Sequence, residues 1–481
     1  MGEAVPFRMA ERATQVAVVG GGPGGYAAAF LGADLGLQVT LIDEEANPGG
    51  VCLYRGCIPS KALLHVARLI EESRHAAAWG VEFGAPRLDL DRLRAWKQGV
   101  VHKLTGGLGQ LSRQRQVRFL RGRAALLDAH TVSVATAEGE TRVAFEHAIL
   151  ATGSLPATIP GFPNGSPRVL DSTSALELTD VPGRLLVVGG GYIGLELGTV
   201  YAALGSKVTV VEMLPGLLPG ADRDLVAVLA RRMAQVCEAI LLDTKVAGVR
   251  DEPDGMHVTL EGKDGARHER VFDKVLVAVG RRPNSRIPGL ERTRVALDAR
   301  GFVQVDAQRR TAEPSIFAVG DVAGEPMLAH KAHHEGRVAV EVIAGRKAAF
   351  EPQAIPAVVF TDPELAWCGL TEAEAGHRGV AVQVAKFPWG ASGRAMTLDR
   401  SDGLTKLLVD PDTTRVLGMG VVGPGAGELI AEGVLAVEMG ALASDVGLTI
   451  HPHPTLSETV MEAADAVFGH STHVFRPKRT S

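Results

Sequence analysis

One supersecondary unit occurs twice in this chain. Val16-Ala17-Val18-Val19 is a short β-rich run that leads into Gly20-Gly21-Gly22-Pro23-Gly24-Gly25 and an alanine-rich helix ending near Gly36. A second β-rich run, Val39-Thr40-Leu41-Ile42, ends in Asp43. After a shift of 169 residues, Leu185-Leu186-Val187-Val188 leads into Gly189-Gly190-Gly191-Tyr192-Ile193-Gly194, a helix ends near Gly205, and Val208-Thr209-Val210-Val211 ends in Glu212. In such a unit the first glycine (Gly20, Gly189) makes a tight turn. The second (Gly22, Gly191) lets backbone approach a diphosphate, and the third (Gly25, Gly194) lets the helix pack on the strand. The helix N-terminus faces the diphosphate, and the acid stands where a ribose hydroxyl pair would donate to it. One such fingerprint is a weak signal. Two, each in strand–helix context and each with its acid, predict an α/β chain with two Rossmann-like dinucleotide-binding domains. Glu212 would repel a 2′-phosphate and no arginine follows it closely, so the second unit is expected to take NAD rather than NADP.

Just beyond the first unit lies Gly49-Gly50-Val51-Cys52-Leu53-Tyr54-Arg55-Gly56-Cys57-Ile58-Pro59-Ser60-Lys61. Two thiols with four residues between them can close into a disulfide across a tight turn, and Gly56 eases that turn. Pro59 and Ser60 are expected to open a helix running on through Lys61. A cysteine at a helix start meets unsatisfied N–H groups and the positive dipole end, which favour the reactive thiolate. A redox-active pair beside a bound dinucleotide is the reading these residues suggest.

Composition narrows the partners. The 481 residues carry a net charge of -5 without blocks of like charge, so neither nucleic acid nor an anionic membrane is expected as a main partner. No apolar run approaches the length of a membrane span, and the first fourteen residues lack the apolar stretch of a secretory signal. The cytoplasm is the expected compartment. Four cysteines are too few for a disulfide scaffold, and none has further ligands at zinc spacing, so no metal site is expected. Cys237 and Cys368 read as ordinary packing residues.

Further motifs complete a pattern: Ala151-Thr152-Gly153-Ser154, Val279-Gly280-Arg281-Arg282-Pro283-Asn284, Ile316-Phe317-Ala318-Val319-Gly320-Asp321 and His451-Pro452-His453-Pro454-Thr455-Leu456-Ser457-Glu458. With the two fingerprints and the cysteine segment, they make the chain resemble the flavoprotein disulfide reductases over essentially its full length, and most of all their dihydrolipoyl dehydrogenase branch. The resemblance implies that Gly20, Gly22, Gly25 and Asp43 hold the AMP half of FAD, with Ala124 at the adenine and Asp321 at the ribityl chain. Taken alone, Asp321 reads equally well as a turn residue after a strand. Thr152, Gly153, Ser154, Met327 and His330 would line the flavin, and Gly189, Gly191, Gly194, Glu212, Val246 and Gly280 would serve NAD. Lys61 and Glu196 would pair near the flavin. Three departures from the family pattern stand out: Asp43 replaces a more usual Glu, Tyr54-Arg55 replace an Asn and a variable residue, and Cys368 sits where Val is usual.

The implied chemistry is dithiol oxidation. By resemblance Cys52 is the interchange thiol and Cys57 the sulfur against the flavin. A thiol substrate must lose a proton, and His453, fixed between two prolines, is the candidate base, oriented by Glu458. Locally, Thr455 to Glu458 is also a plain capping box before a helix expected over 459–468; the two roles are compatible. In the family this His reaches the disulfide of the other subunit, so a homodimer is expected. The resemblance also implies docking to lipoyl domains and the acyltransferase core of 2-oxo acid dehydrogenase complexes, or to a glycine cleavage carrier protein. The expected layout is an FAD-binding domain in two pieces (1–155 and 283–351), an NAD-binding domain (156–282) and a C-terminal α/β dimerisation domain (352–481). No lipoyl domain fits ahead of the first strand. The alternatives are a glutathione- or mercuric-reductase-like enzyme, disfavoured by Glu212 and by a cysteine-free tail from His470, and a non-catalytic flavin-bearing scaffold or redox sensor, disfavoured by the intact Cys52, Cys57, His453 and Glu458 set.

Overall fold

A computed structural model describes residues 10–475; the first nine residues and the last six, which carry part of the amino-terminal and tail readings, lie outside it. Its first sheet sets four strands side by side and parallel: Arg118–Arg121, Val39–Asp43, Ala10–Val19 and Gly139–Leu150. Strand Gly139–Leu150 serves twice. Its outer half pairs antiparallel with Thr131–Thr136, which continues to Arg123–Asp128, while its inner half pairs parallel with Ile316–Ala318. Val16 to Val18, Leu41, Ile42 and Ala148 to Leu150 are buried, the unbroken apolar runs of a sheet covered on both faces. Helix α1 (Pro23–Asp34) covers one face, joined by a helix from much later in the chain, Ala329–Ile343, whose Gly336 packs against the carbonyl of Gly24. The chain therefore leaves this sheet after Leu150 and returns to it at Ile316.

The second sheet has five parallel strands in the order Ala239–Leu241, Lys207–Val211, Arg184–Val188, Lys274–Val277, Val169–Leu170. The two fingerprints fold alike. The first glycines take φ of 107° at Gly20 and 112° at Gly189, a region closed to most side chains. A Cβ on the third would lie 1.8 Å from the Gly20 carbonyl at Gly25 and 2.2 Å from the Gly189 carbonyl at Gly194. Beside this sheet a three-stranded antiparallel meander spans Thr244–Glu252, Gly255–Gly262 and Arg267–Phe272. A two-stranded link, Ser154–Pro156 with Arg281–Pro283, joins the two halves.

A third, wholly antiparallel sheet orders Ala357–Val359, Leu365–Gly369, Val416–Val422, Leu404–Val409 and Gln383–Pro388. Helices Ala426–Met439, Ala443–Leu448 and Glu458–Asp465 belong to this part. The last is pinned to the sheet by a buried relay: Trp389 Nε1 donates to Thr405 Oγ1 at 2.9 Å, and Thr405 Oγ1 lies 2.7 Å from Thr459 Oγ1. Among the described residues no helix is long and apolar enough to cross a membrane.

Two local expectations shift. The helix expected to open at Pro59 begins at Cys57, as α3 (Cys57–His75), and Cys52 lies in a short helix of its own, α2 (Gly50–Arg55). Gly56 is the break between them, and a Cβ there would come 2.8 Å from the Val51 carbonyl, so close approach rather than a reversed turn demands glycine. The last helix runs Glu458–Asp465 instead of 459–468, because the chain turns back through Gly469, with His470 N–H donating to the Asp465 carbonyl at 3.0 Å.

Candidate active site

A single deep cavity gathers the first fingerprint, α2 and the start of α3. Gly20, Gly22 and Asp43 line one part; Cys52, Cys57 and Lys61 line another, with Thr152 to Ser154, Asp321 and Met327 around them. Asp43 and Glu212 play one structural role in the two units. Asp43 accepts from Gly21 N–H at 2.5 Å and Glu45 N–H at 2.8 Å; Glu212 accepts from Gly190 N–H at 2.7 Å and Leu214 N–H at 2.8 Å. Burial nevertheless holds Asp43 above its ordinary carboxyl range, against the pull of the Gly21 hydrogen bond.

Cys52 and Cys57 are free thiols in mutual hydrogen-bond contact. Cys57 is exposed and lines the cavity. The hydrogen bond from Cys52 brings the Cys57 thiol down to about 7; burial opposes this and the nearby Lys61 charge assists it. The same hydrogen bond, with burial, pushes Cys52 up, so the pair gives up its first proton as a thiolate at Cys57, at the N-terminal end of the 19-residue α3.

Lys61 Nζ donates to Glu196 Oε2 at 2.8 Å and lies 4.4 Å from the centre of the Phe360 ring. Glu196 sits on α4 (Tyr192–Leu204) and is 3 % exposed; its other oxygen accepts from Phe360 N–H at 3.0 Å. Three distant stretches thus meet at one carboxylate beside Cys57. Ser154 Oγ donates to Asp321 Oδ2 at 2.5 Å, while Arg281 donates to Ser154 Oγ at 2.7 Å and to its carbonyl at 2.8 Å. Glu335, wholly buried, accepts from Gly320 N–H at 2.6 Å and pairs with Arg309 and Lys331, which fixes the backbone that presents Asp321.

His453 and Glu458 stand elsewhere. Nδ1 of His453 is 2.8 Å from Glu458 Oε1, and Glu458 Oε2 accepts from Thr455 N–H at 2.8 Å. One carboxylate therefore both ties down the loop ahead of its helix and holds the imidazole, whereas the expected capping box does not form: the helix starts at Glu458 itself, its N-cap Ser457 makes no side-chain cap, and Thr455 Oγ1 donates to the Pro452 carbonyl instead. Burial opposes it, but these two hydrogen bonds keep Glu458 below its ordinary range. The pair is not among the residues lining the cavity of its own chain, and the His453 side chain is 77 % exposed. In the same C-terminal part of the chain Leu435, Met439, Leu448 and Ile450 are also exposed, large apolar side chains of the kind found at interfaces.

Other expected contacts fall outside the cavity lining. Ala124 lies in strand Arg123–Asp128 and Val246 in the meander; His330 Nε2 lies 2.8 Å from the Pro356 carbonyl. Gly189, Gly191, Gly194, Glu212 and Gly280 belong to the second unit, which meets the cavity through Tyr192, Ile193 and Glu196. Sequence reasoning passed over Arg281, Glu335 and Phe360 as site residues. Arg281 lies inside a quoted motif and could have been singled out. Nothing local marks Phe360, whose partner Glu196 is 164 residues away.

The cavity fits a flavin dinucleotide. A Cβ on Gly22 would have no neighbour nearer than 3.9 Å, and one on Gly191 none within 4 Å, so at both helix starts the backbone is bare toward open space where a diphosphate can approach. Asp43 and Asp321 supply acceptors for hydroxyl groups along that cavity.

The pyridine nucleotide-disulphide oxidoreductase family model matches residues 14–336, and the dimerisation domain of the same family matches residues 355–464. The chain is 50% identical over 455 residues to the dihydrolipoyl dehydrogenase of Vibrio cholerae, covering 95% of this chain and 96% of that one. It is also 50% identical over 459 residues to the dihydrolipoyl dehydrogenase of Thermus scotoductus, covering 95% of this chain and 98% of that one. Among solved structures, LpdA from Mycobacterium tuberculosis superposes with a TM-score of 0.86 at 29% identity, over 94% of this chain and 99% of that one. The HOCl-induced flavoprotein disulfide reductase RclA from Escherichia coli, solved as a Cu(II) complex, reaches a TM-score of 0.84 at 28% identity, over 94% of this chain and 99% of that one. A dithiol facing a dinucleotide-shaped cavity, two fingerprint units and a matched dimerisation domain converge on one conclusion: this chain belongs to the pyridine nucleotide-disulphide oxidoreductases, and among them to the dihydrolipoyl dehydrogenase family.

Proposed function

We propose that this chain oxidises protein-bound dihydrolipoamide to lipoamide and reduces NAD⁺ to NADH. The observation that carries this reading is the Cys52–Cys57 pair, with its acidified thiol, opening into the cavity beside the Lys61–Glu196 pair. FAD bound in that cavity would supply the two-electron link between sulfur and nicotinamide chemistry. Gly20, Gly22, Gly25 and Asp43 would hold its AMP half and Asp321 its ribityl chain, with Thr152 to Ser154 and Met327 lining the flavin end. Gly189, Gly191, Gly194 and Glu212 would hold NAD.

The protein's own part is sulfur and proton chemistry. With Cys52 and Cys57 joined as a disulfide, one substrate thiolate attacks the Cys52 sulfur; the S–S bond breaks and Cys57 leaves as a thiolate. The second substrate thiolate then attacks the mixed disulfide, closes the lipoamide ring and releases Cys52. The partner subunit's His453 takes the first thiol's proton at Nε2, because Glu458 holds Nδ1–H and so leaves Nε2 free to accept, and the second thiol's proton ends on the departing Cys52 sulfur. Lys61, held by Glu196, places a positive charge beside Cys57 and steadies the thiolate that forms there.

The wider setting belongs to the same proposal: a cytoplasmic homodimer, divided at 155, 282 and 351 into FAD-, NAD-, FAD-binding and interface segments, docking to lipoyl domains and the acyltransferase core of 2-oxo acid dehydrogenase complexes or to a glycine cleavage carrier. Purified protein assayed with dihydrolipoamide, glutathione and mercuric ion, each with NAD and NADP, tests it. Turnover with dihydrolipoamide and NAD⁺ is expected; preference for glutathione or mercuric ion would replace the proposal with another disulfide reductase.

A further inference from the structure

The segment that follows Asp43, residues 44–49, borders the cavity through Glu44 and Glu45, and its attachments are unusual. Arg55, the last residue of α2, lines the cavity with Asp43, Glu44 and Glu45, and its guanidinium is ion-paired with the Glu45 carboxylate. Its neighbour Tyr54 grips the same segment from the other side: the hydroxyl accepts from Asn47 N–H at 3.2 Å and donates to the Asn47 carbonyl at 3.0 Å. Two consecutive side chains, Tyr54 where the family pattern has Asn and Arg55 at a variable position, therefore fasten one loop to the helix that carries Cys52. The other lining cations are engaged elsewhere, Lys61 with Glu196 and Arg281 with Ser154. Arg55 is the cation that stands among the three acids.

We propose that Tyr54 and Arg55 act with Glu45 and Asn47 as a clasp that closes residues 44–49 onto α2 over the Asp43 part of the cavity and slows the escape of the bound dinucleotide. The inference rests on the reading that this cavity takes FAD. The side chains of Arg55 and Glu45 are 40% and 29% exposed, so the pair is partly screened by water and its effect is modest. Opening the clasp should speed release about fivefold, the upper end of what a partly exposed ion pair contributes.

The test is the rate of FAD release from holoenzyme, followed as the rise in free-flavin fluorescence in the presence of an apoflavoprotein trap. R55Q and E45Q should each release FAD about fivefold faster than the parent, and Y54F should also be faster, since each removes one side of the same fastening. The charge-swapped double variant E45R/R55E should return to within about twofold of the parent rate, the recovery expected of a pair whose two charges are coupled. Raising sodium chloride to about 0.5 M should speed release from the parent and leave R55Q unchanged, because salt screens a pair that R55Q lacks. Unchanged rates in both R55Q and E45Q would overturn the clasp, as would faster release in R55Q with slower release in E45Q, which would mean that Arg55 acts on the diphosphate alone. Failure of the swap to restore the rate, or equal salt effects in parent and R55Q, would also overturn it. If the parent protein neither carries nor takes up FAD, the underlying reading of the cavity fails instead, so the two failures are separable.

Discussion

Replacing Glu458 by Gln separates the two tasks of that carboxylate. Oε2 accepts from Thr455 N–H at the helix start, and Oε1 faces His453 Nδ1 at 2.8 Å. A glutamine carbonyl can keep the first contact, so the loop ahead of the helix stays in place. Its NH₂ group then faces Nδ1 and donates to it, which places the imidazole proton on Nε2 and leaves no acceptor toward the substrate thiol. Losing a hydrogen bond to a charged partner costs about 1.5–3 kcal/mol, equivalent to a fall of about 10- to 150-fold in rate. The assay compares kcat for dihydrolipoamide oxidation with NADH-driven dye reduction, which bypasses the substrate thiol. Glu458→Gln should lose the first by that factor and keep the second within about twofold, since no interaction used by the second is removed. Glu458→Ala should in addition lower stability by about 1 kcal/mol, because it also removes the acceptor that holds Thr455 N–H in the loop ahead of the helix. Equal losses in both reactions, or an undiminished dihydrolipoamide rate, would refute the proposed division of labour.

Cys52→Ser should retain bound flavin yet lose dihydrolipoamide turnover; full turnover would refute the disulfide assignment. Alkylation of the reduced enzyme by iodoacetamide should rise with pH through about 7, as Cys57 passes from thiol to thiolate; a midpoint near the ordinary thiol value would contradict the shared-proton pair. NAD⁺ should outperform NADP⁺ by at least about tenfold, or about 1.4 kcal/mol, and equal rates would overturn the reading of Glu212. Lys406 is wholly buried against Asp222 at 2.7 Å and Asp224 at 3.0 Å, and it also pairs with Glu372. Lys406→Met should therefore cost about 3 kcal/mol in denaturant unfolding, by leaving the buried Asp222 without its cation while Asp224 and Glu372 keep Lys386. Burial opposes it, but the Lys386 and Lys406 hydrogen bonds hold Asp224 below its ordinary value. That stabilisation is present above about pH 3.9, the unfolded value, and is lost as pH falls through the lower folded one; stability unchanged on acidification would argue against the pairing.

Much of this architecture was legible because it is local. The glycine turns and the strands ending in Asp43 and Glu212 each follow from a few adjacent residues. The cysteine segment stood out in the sequence as a close pair of thiols, but its shape was legible only in part. Pro59 suggested a helix start, but the break lies at Gly56, where the constraint is the carbonyl of Val51. Glu335 behind Gly320 and Phe360 N–H behind Glu196 were illegible, because each is a contact between stretches far apart in sequence, and a generic side chain or a backbone amide carries no signal of it. Tyr54 and Arg55 lay between the two. They were visible as departures, yet the loop they fasten could be named only once Glu45 and Asn47 were seen beside them.

The sharing of Glu196 between Lys61 and the backbone of Phe360 bears on any attempt to dissect this molecule. A buried carboxylate that loses one donor keeps its desolvation cost with less to offset it. A fragment ending before residue 357 would strip that amide away, and one lacking residues 57–75 would remove the ammonium. Carving out a minimal sulfur module should therefore yield a protein whose weakest point is the very carboxylate that steadies its reactive centre, whereas grafts that carry all three stretches together should keep it intact.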